Sequence, residues 1–341
     1  MVPGPDLAPG SAGSLGPALG EARSLIESCG LRFEPGFDDL VTVYEQERLV
    51  ACGARAGYVL KMLAIAPSHQ GSDTLGELVT RLVQSGLAAG QDTLFVFTPP
   101  QNAPSFQALN FRLLVTQGQA ALLEYGPGLP AYLAAHAAQI TPGRNGAVVI
   151  NGNPFTLGHL HLVEQAAARV DRLFLFVVRE DRSVFPFAVR YRLAREATAH
   201  LANVTLLDTS RYAVSAGTFP SYFLKRLDAL SAAQMQIDLC LFAEALAPPF
   251  HLATRFVGEE PLCPTTAAYN QMMAQVLGEH GIGLVVVPRI ESGGLPISAT
   301  RVRAAFRTGD FDTLAELVPP ATLAFLRSEA ARPIQTQLEE V

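Results

Sequence analysis

The spacing of hydrophobic and polar positions differs between the two halves of the chain. Up to about residue 125, short apolar runs alternate with turns. At Thr74–Ala89 the apolar residues recur every three to four positions, which predicts an amphipathic helix. The strands predicted around that helix are Leu40–Tyr44, Arg48–Cys52, Val59–Ala66, Leu94–Thr98 and Ala120–Glu124. This half is therefore expected to form a small mixed α/β domain.

From residue 147 onward, apolar strands and helical stretches alternate regularly. The predicted strands are Ala147–Ile150, Leu173–Val178, Val204–Leu207, Arg255–Val257 and Leu284–Val287. These strands are continuously apolar, and helical segments follow them, which is typical of a parallel sheet covered by helices on both faces. The second half is therefore predicted to be an α/β domain with a doubly wound parallel sheet.

Glycine and proline mark the expected domain boundaries. Residues 1–20 are mostly Gly, Pro, Ala, Ser and Leu, and we expect a disordered lead there. Turn-forming residues cluster between 126 and 146, which places a linker at 131–146. The domains are then predicted at 21–130 and 147–330, followed by a frayed polar tail at 331–341.

Composition agrees with two folded domains and excludes several classes of protein. A chain of 341 residues with 49% apolar and 16% charged residues is too apolar for disorder throughout. The run Leu173–Val178 is far shorter than the roughly 20 residues that cross a membrane. The first basic residue is Arg23, so no signal peptide is predicted, and we expect a cytoplasmic protein without membrane partners.

Charged residues and cysteines narrow the possible chemistry further. The net charge of −6 argues against a nucleic-acid partner. Lys61 and Lys225 are the only lysines, and neither lies in a P-loop, so phosphate binding would rest on arginine, histidine, hydroxyls and helix N-termini. The four cysteines contain no Cys-x-x-Cys pair, so neither a zinc site nor a disulfide framework is predicted.

The segment Asn151–His159 leads from a predicted buried strand into a helix. In open α/β folds, ligands bind at the carboxyl ends of strands, where a helix N-terminus attracts phosphate. Gly158 would let a ligand approach the backbone, and His159 could donate to a phosphate oxygen. Alternatively, the Asn, Pro and Gly residues only form a turn, and His159 caps or packs.

A second segment, Pro296–Arg303, begins the helix after the last predicted strand. Ser298 is a candidate N-cap, and Arg301 and Arg303 lie in the first turns. Free N–H groups, hydroxyls and guanidinium groups together can hold a triphosphate. The alternative is a capped surface helix whose arginines are solvated.

Together the two segments resemble the nucleotidyltransferase superfamily, which carries a His-x-Gly-His motif and, later, an Ile-Ser-Ser/Thr-Thr-x-x-Arg motif. Here they read Thr156-Leu157-Gly158-His159 and Ile297-Ser298-Ala299-Thr300-Arg301-Val302-Arg303. The sequence departs from these motifs at Thr156 and Ala299. Thr156 fits the Thr-x-Gly-His form of citrate lyase ligase, which the sequence resembles from about 145 to 330, including segments 180–186, 218–223 and 255–261.

The resemblance implies a Rossmann-like nucleotidyltransferase domain and a two-step reaction. The family activates acetate with ATP, forming acetyl-adenylate and pyrophosphate. It then acetylates the thiol of phosphoribosyl-dephospho-coenzyme A on the acyl carrier subunit of citrate lyase, which activates the lyase. The expected substrates are ATP and acetate, with Mg²⁺ accompanying ATP and no metal site in the protein.

The resemblance also implies which residues act. His159 and Thr156 are expected at the reacting phosphate as the catalytic residues. The expected nucleotide-binding residues are Asn153, Phe155, Gly158, Ser298, Thr300 and Arg303. Arg182 and Arg255 are weaker candidates, and for each of them a surface ion pair is the alternative.

The first half resembles a GNAT-type N-acetyltransferase. Such folds bind the pyrophosphate of coenzyme A in a Gln/Arg-x-x-Gly-x-Gly/Ala loop. Here that loop reads Gln70-Gly71-Ser72-Asp73-Thr74, without the second glycine and with a carboxylate where pyrophosphate would bind. The domain is expected either to dock the carrier's coenzyme A-like arm or to be structural.

Three other functions remain open at this point. One is a plain adenylyltransferase of the pantetheine-phosphate or nicotinamide-mononucleotide type. Another is a non-catalytic nucleotide-binding regulator. The third is an acetyltransferase that works through the first domain. The accompanying domain and Thr156 argue against the plain adenylyltransferase.

Overall fold

The computed structural model describes residues 15–71, 73–181, 183–215, 229–260 and 264–340. It divides into two compact units, the first made of residues up to 113 with 123–128, and the second of 114–122 with the residues from 129 onward. Several predicted features lie outside the described residues: the lead at 1–14, Ser72, Arg182, the segment 218–223 and Pro261.

The described elements up to residue 125 are built around a sheet with two long helices. In chain order they are α1 (Leu15–Ser28), β1 (Asp39–Glu45), β2 (Arg48–Ala56), β3 (Val59–Ile65), α2 (Thr74–Ala88), β4 (Leu94–Thr98), α3 (Ala103–Gln107), β5 (Arg112–Gln117) and β6 (Ala120–Tyr125). The sheet has the strand order β1-β2-β3-β4-β6-β5. The mixed α/β prediction is confirmed.

Two local differences from the predictions have simple causes. Residues 15–20, predicted to belong to the disordered lead, form the first turns of α1, whose Ala22 and Ile26 are fully buried. Strand β5 was not predicted because its residues do not alternate between apolar and polar. It lies at the edge of the sheet, where little of it needs to be apolar.

The second unit alternates strands and helices, as the sequence predicts. It contains α4 (Gly128–His136, whose first residue falls in the first unit), β7 (Asn145–Ile150), α5 (Leu157–Ala167), β8 (Arg172–Val177), α6 (Phe187–Thr198), β9 (Val204–Asp208), α7 (Ala229–Leu241), β10 (Leu252–Gly258), α8 (Pro264–Glu279) and β11 (Gly283–Val287). A short hairpin and four helices follow: β12 (Glu291–Ser292), β13 (Leu295–Pro296), α9 (Ala299–Arg307), α10 (Phe311–Leu317), α11 (Pro320–Leu326) and α12 (Arg332–Glu339).

The sheet of the second unit is parallel and doubly wound. Its strand order is β11-β10-β7-β8-β9, and every neighbouring pair runs parallel. From β7 the chain moves outward through β8 to β9, and from β10 it moves outward in the other direction to β11. The strand order therefore reverses between β7 and β10, which is where open α/β folds bind their ligands. The predicted fold class is confirmed.

One face of this sheet carries the main core of the second unit. Val148, Ile150, Leu175 and Val177 alternate along β7 and β8 and pack against buried residues of the helices. The helix residues include Val163, Leu193, Val302 and Phe306. The core thus joins the two chain segments that carry the predicted motifs.

The chain on either side of this core is more ordered than its sequence indicates. Within the predicted linker, the Tyr132 hydroxyl of α4 donates to the Asp208 carbonyl at 2.7 Å. The predicted frayed tail contains α12, whose Ile334 is buried and whose Gln335 amide donates to the Phe306 carbonyl at 2.9 Å. The prediction of a frayed tail from 331 is therefore wrong for Arg332–Glu339. Among the described helices, none is long and apolar enough to cross a membrane.

Candidate functional site

The candidate site lies beyond the carboxyl ends of β7 and β10. The loop 151–156 connects β7 to the N-terminus of α5. The N-terminus of α9 belongs to the same site because Ile297, just before it, contacts Gly158 in the first turn of α5. Two helix N-termini therefore supply unpaired N–H groups at the crevice of the sheet, an arrangement that attracts anions.

Thr156 and His159 form a capping box at the start of α5. The Thr156 hydroxyl accepts from the His159 N–H at 3.3 Å, and the Thr156 N–H donates to His159 Nδ1 at 3.0 Å. Thr156 is only 1% exposed. Its hydroxyl also lies 2.9 Å from His159 Nδ1, so both its backbone and its side chain fix the imidazole relative to the helix.

This geometry sets the state of the His159 ring. An amide N–H can only donate, so Nδ1 accepts, and the neutral ring carries its proton on Nε2. Burial, together with the positive charge of Arg289, lowers the pKa of His159 to about 4. At neutral pH the ring is therefore uncharged, with an Nε2–H available as a donor.

Gly158 is where the two motifs meet. A Cβ atom at this position would lie 3.2 Å from the Ile297 carbonyl oxygen and 3.5 Å from the Thr156 hydroxyl. The sequence predicts that this glycine admits a ligand, whereas the space of the missing side chain is taken by the Ile297 backbone. Gly158 thus allows the α5 N-terminus to pack against the residue before α9.

The residues at the start of α9 have distinct partners. Ser298 is the N-cap, and its hydroxyl accepts from the Arg301 N–H at 3.3 Å. Thr300 is exposed, and its hydroxyl accepts from Arg303 Nη2 at 3.1 Å. Arg301 Nη1 donates to three carbonyls of the β12–β13 hairpin, those of Ser292, Leu295 and Pro296. Arg301 therefore fixes that hairpin.

Arg303 connects α9 to the loop after β7. Its Nη1 donates to the Asn153 carbonyl at 2.6 Å, although the two residues are 150 positions apart in the sequence. The Asn153 side chain accepts from the Phe185 N–H at 3.0 Å. Burial lowers the pKa of Arg303. A guanidinium group nonetheless stays charged at neutral pH. Arg303 and Asn153 thus lie together, as the predicted site requires.

Phe155 is placed differently from the other predicted residues. Its side chain is fully buried in the core, with its ring centroid 5.5 Å from that of His159. The Phe155 carbonyl accepts from the Thr322 hydroxyl at 3.0 Å. Its nucleotide-binding role stays a prediction, and the observed contacts position the loop on which His159 depends.

Arg190 is a functional candidate that the sequence analysis missed. It is fully buried on α6, and its guanidinium donates to the carbonyls of four residues at 2.7–2.9 Å: Asn151, Val178, Glu180 and Phe185. These carbonyls lie in the segments after β7 and β8, so Arg190 shapes the floor of the crevice. The available signal was an arginine at helical spacing from buried Leu193 and Ala194.

Arg289 was also missed, although it lies two residues beyond the end of β11. Its guanidinium donates to the Glu259 carbonyl and pairs with the Glu260 carboxylate at 2.6 Å. Its charge acts on His159. The available signal was its place just beyond a strand end, where α/β folds position their ligand-binding residues.

Arg255 does not form the surface ion pair that was the alternative for it. It is 2% exposed in the middle of β10, and its guanidinium lies 4.3 Å from the Phe242 ring centroid. Within the described part of the chain, its Nε and Nη1 atoms have no hydrogen-bond partner. The surface ion-pair interpretation is therefore wrong, while the other candidate, Arg182, lies outside the described residues.

The described residues of the site include no cluster of metal ligands. Among the residues that the structure describes, no three His, Cys, Asp or Glu side chains are grouped to hold a metal ion. The carboxylate of Glu260, just beyond β10, is engaged by Arg289.

The predicted coenzyme A-type loop of the first unit lies between β3 and α2. Asp73 is the N-cap of α2, but its carboxylate makes no capping hydrogen bond. Strands β3 and β4 pair in parallel, with Val59 opposite Phe95 and Leu60 opposite Val96. Ser72 lies outside the described residues, so the docking and structural alternatives for this unit both remain predictions.

Comparison with known proteins agrees with this geometry. The profile of the family described as "Citrate lyase ligase C-terminal domain" matches residues 145–326. The [citrate (pro-3S)-lyase] ligase of Klebsiella pneumoniae is 45% identical over 298 residues, which cover 85% of this chain and 87% of that protein. The chain belongs to the citrate lyase ligase family. The matched range runs from the first residue of β7 to the last residue of α11, so it includes both motifs of the site.

Further similarities are weaker. The [citrate (pro-3S)-lyase] ligase of Escherichia coli (strain K12) is 34% identical over 318 residues, or 91% of this chain and 90% of that protein. Among solved structures, a pantothenate synthetase of Thermus thermophilus aligns with 59% of this chain and 80% of that chain, at 17% identity and a TM-score of 0.34. That TM-score is below 0.5, so membership of the citrate lyase ligase family rests on the sequence matches.

Proposed function

We propose that this protein activates citrate lyase by ATP-dependent acetylation of a thiol on the acyl carrier subunit of the lyase, through an acetyl-adenylate. Membership of the citrate lyase ligase family makes it an enzyme of the ligase class. The observation that carries the mechanism is the junction of the two motifs, where His159, the α5 N-terminus and Arg303 are held around one crevice. The expected place of action is the cytoplasm, where ATP is available.

In the first step, an acetate oxygen attacks the α-phosphorus of ATP. The bond from that phosphorus to the bridging oxygen breaks, and pyrophosphate leaves with the electron pair. Acetate is ionised at pH 7, so the step needs no general base. What the protein must provide is orientation and compensation of the charge that accumulates on the phosphates.

His159 suits this requirement because its ring is neutral and its proton lies on Nε2. It donates to a phosphate oxygen and does not act as a base. Its orientation comes from Thr156, which we assign to positioning the catalytic imidazole. The N-termini of α5 and α9 then receive the phosphates, with Thr300 and Arg303 at the leaving pyrophosphate and Ser298 ordering the first turn of α9. Mg²⁺ enters with ATP as part of the substrate and neutralises phosphate charge.

In the second step, the carrier thiol attacks the acetyl carbonyl. A carbon–sulfur bond forms, the carbon–oxygen bond to phosphate breaks, and AMP leaves, while the thiol proton passes to solvent. The thiol belongs to the phosphoribosyl-dephospho-coenzyme A group of the carrier subunit. The product is the acetyl-thioester that makes citrate lyase active.

The direct test is to reactivate thiol-form citrate lyase. With ATP and acetate, the protein should release AMP and pyrophosphate and restore lyase activity. Acetate labelled with ¹⁸O should transfer one labelled oxygen to AMP, since one acetate oxygen bridges to phosphorus in acetyl-adenylate. His159→Ala should abolish both signals, and His200→Ala, which changes an exposed histidine of the same unit, should keep them.

The alternatives predict different products. A plain adenylyltransferase would place AMP in a dinucleotide and leave the lyase inactive. A regulator would bind ATP but release no pyrophosphate with any carboxylate. An acetyltransferase acting through the first unit would use acetyl-coenzyme A without ATP. Any of these results would contradict the ligase proposal.

A further inference from the structure

Arg289 occupies the part of the crevice where β10 and β11 end. The pairing of these strands continues past Val287, because the Glu259 N–H donates to the Val287 carbonyl at 2.9 Å. Arg289 reaches back across this end, donating through Nε to the Glu259 carbonyl and through Nη2 to Glu260 at 2.6 Å. Both side chains of the ion pair are mostly buried, with 22% of Arg289 and 12% of Glu260 exposed.

The backbone ties Arg289 closely to the two motifs. The carbonyl of the next residue, Ile290, accepts from the Ile297 N–H at 3.0 Å. The Ile297 carbonyl in turn lies against Gly158, the neighbour of His159. The electrostatic effect of Arg289 on the His159 ring agrees with this short path. Arg289 therefore lies within electrostatic range of the group expected to contact the reacting phosphate.

The other arginines of the crevice direct much of their hydrogen bonding to the protein itself. Arg190 donates to four backbone carbonyls, and Arg301 Nη1 to three. Arg303 donates to the Asn153 carbonyl and to Thr300. Arg289 differs because the Glu259 carbonyl holds Nε and the Glu260 carboxylate holds Nη2, while Nη1 has no hydrogen-bond partner among the described residues. That free edge can receive an anion.

We propose that Arg289 is a further catalytic residue of the first step, which contacts the polyphosphate of ATP through Nη1 beside His159 Nε2, and that Glu260 is its positioning residue. This inference rests on the proposed function. Negative charge moves onto the leaving pyrophosphate as the bond to the α-phosphorus breaks. A guanidinium that is already fixed by Glu260 meets that charge without reorganising.

The role of Glu260 explains why an acidic group lies beside a phosphate site. A carboxylate would repel ATP if it were free, but its charge is compensated by Arg289 at 2.6 Å. The pair fixes the plane of the guanidinium, which an ammonium group cannot reproduce. Lysine at position 289 should therefore keep the charge and lose most of the orientation.

The test compares Arg289→Ala, Arg289→Lys and Glu260→Gln in the full-length protein, by measuring pyrophosphate release with ATP and acetate. We expect Arg289→Ala to lower kcat by about 10²–10³, with a smaller change in the KM for ATP. Arg289→Lys should recover only part of that loss. Added guanidinium ion should raise the activity of Arg289→Ala at least about tenfold, since it can fill the vacated position. Glu260→Gln should lower kcat by about tenfold, because the guanidinium loses its anchor.

The matched control is Arg307→Ala, which removes an exposed arginine from the last turn of α9. It should keep activity within about twofold of the unchanged protein, and guanidinium should not affect it. An activity of Arg289→Ala within about threefold of the unchanged protein would overturn the inference. So would a loss that guanidinium does not restore.

A second measurement separates this inference from the proposed function. In NMR titrations, the imidazole signal that is missing from His159→Asn reports the pKa of His159. Arg289→Ala should raise that pKa above about 4, because a repelling charge is removed, while burial, the larger cause, keeps it below the ordinary value of 6.5. An unchanged His159 pKa would refute the juxtaposition. If the unchanged protein releases no pyrophosphate, the proposed function fails, whatever this titration shows.

Discussion

Replacing Arg190 with methionine would test how the crevice is held open. The guanidinium is fully buried and donates to carbonyls that follow both β7 and β8. Methionine keeps much of the apolar volume but has no donor. The bonds to the carbonyls of Phe185 and Val178 are wholly buried, so these two oxygens would lose their partner without gaining water.

The expected magnitude follows from these two oxygens. Each buried carbonyl left without a donor costs about 1–3 kcal/mol. Part of this cost is offset, because the variant no longer has to bury a charge. We therefore expect Arg190→Met to lower the free energy of unfolding of the second unit by about 3 kcal/mol. Arg190→Lys should lose about 2 kcal/mol, because one ammonium cannot reach all the carbonyls.

Urea unfolding of the full chain measures this loss of stability. Hydrogen exchange of the β7 and β8 amides shows that the loss occurs in the second unit. The control is Arg195→Met on the same helix, where the arginine is exposed and a change within about 0.5 kcal/mol is expected. A loss below about 1 kcal/mol for Arg190→Met, with unchanged exchange in β7 and β8, would refute the reasoning.

Three further predictions concern the motif junction. Gly158→Ala places a Cβ 3.2 Å from the Ile297 carbonyl, so it should weaken ATP binding at least about tenfold in calorimetry, whereas Gly278→Ala, with open space around it, should not. Thr156→Ala should lower the free energy of unfolding by about 1 kcal/mol in urea, and it should lower kcat because the imidazole is released. Thr156→Ser should retain both the stability and the kcat of the unchanged protein. Equal activity of the two variants would contradict the positioning role. The folded-state pKa of His159, about 4, lies below its usual value of 6.5. Between these two pH values the unfolded chain therefore binds more protons than the folded chain. The free energy of unfolding should consequently fall as the pH drops from about 6.5 towards about 4. His159→Asn should make that fall smaller, and kcat of the unchanged protein should show no inflection near pH 6.5.

Much of the second unit could be predicted because its local signals agree with one another. The strands are continuously apolar, and turn residues bound most of them, which fixes both their type and their parallel arrangement. The motif residues fall at helix starts because Thr156 and Ser298 are N-cap residues. The sequence alone therefore predicts the two helix starts that carry the motifs, whereas it does not predict that the Phe155 side chain is buried in the core.

The residues that were missed act through the backbone of distant segments. Arg190 and Arg289 donate to carbonyl oxygens, which every residue possesses, so no residue type in the sequence marks their partners. Gly158 was identified, but the neighbour that fills its space is Ile297, far along the chain. The buried position of Arg255 was missed because its charge suggests an exposed side chain.

The hydrogen bond from Arg303 to the Asn153 carbonyl closes a loop of 150 residues. The entropic cost of closing a loop rises only with the logarithm of its length, about 0.6 kcal/mol for each doubling. Surface loops between the two motifs can therefore gain or lose residues at little cost in closure entropy, provided that the residues at both ends are kept. A nucleotide bound across both ends would hold them together, and its binding energy would protect the segments around Asn153 and Arg303 from exchange together.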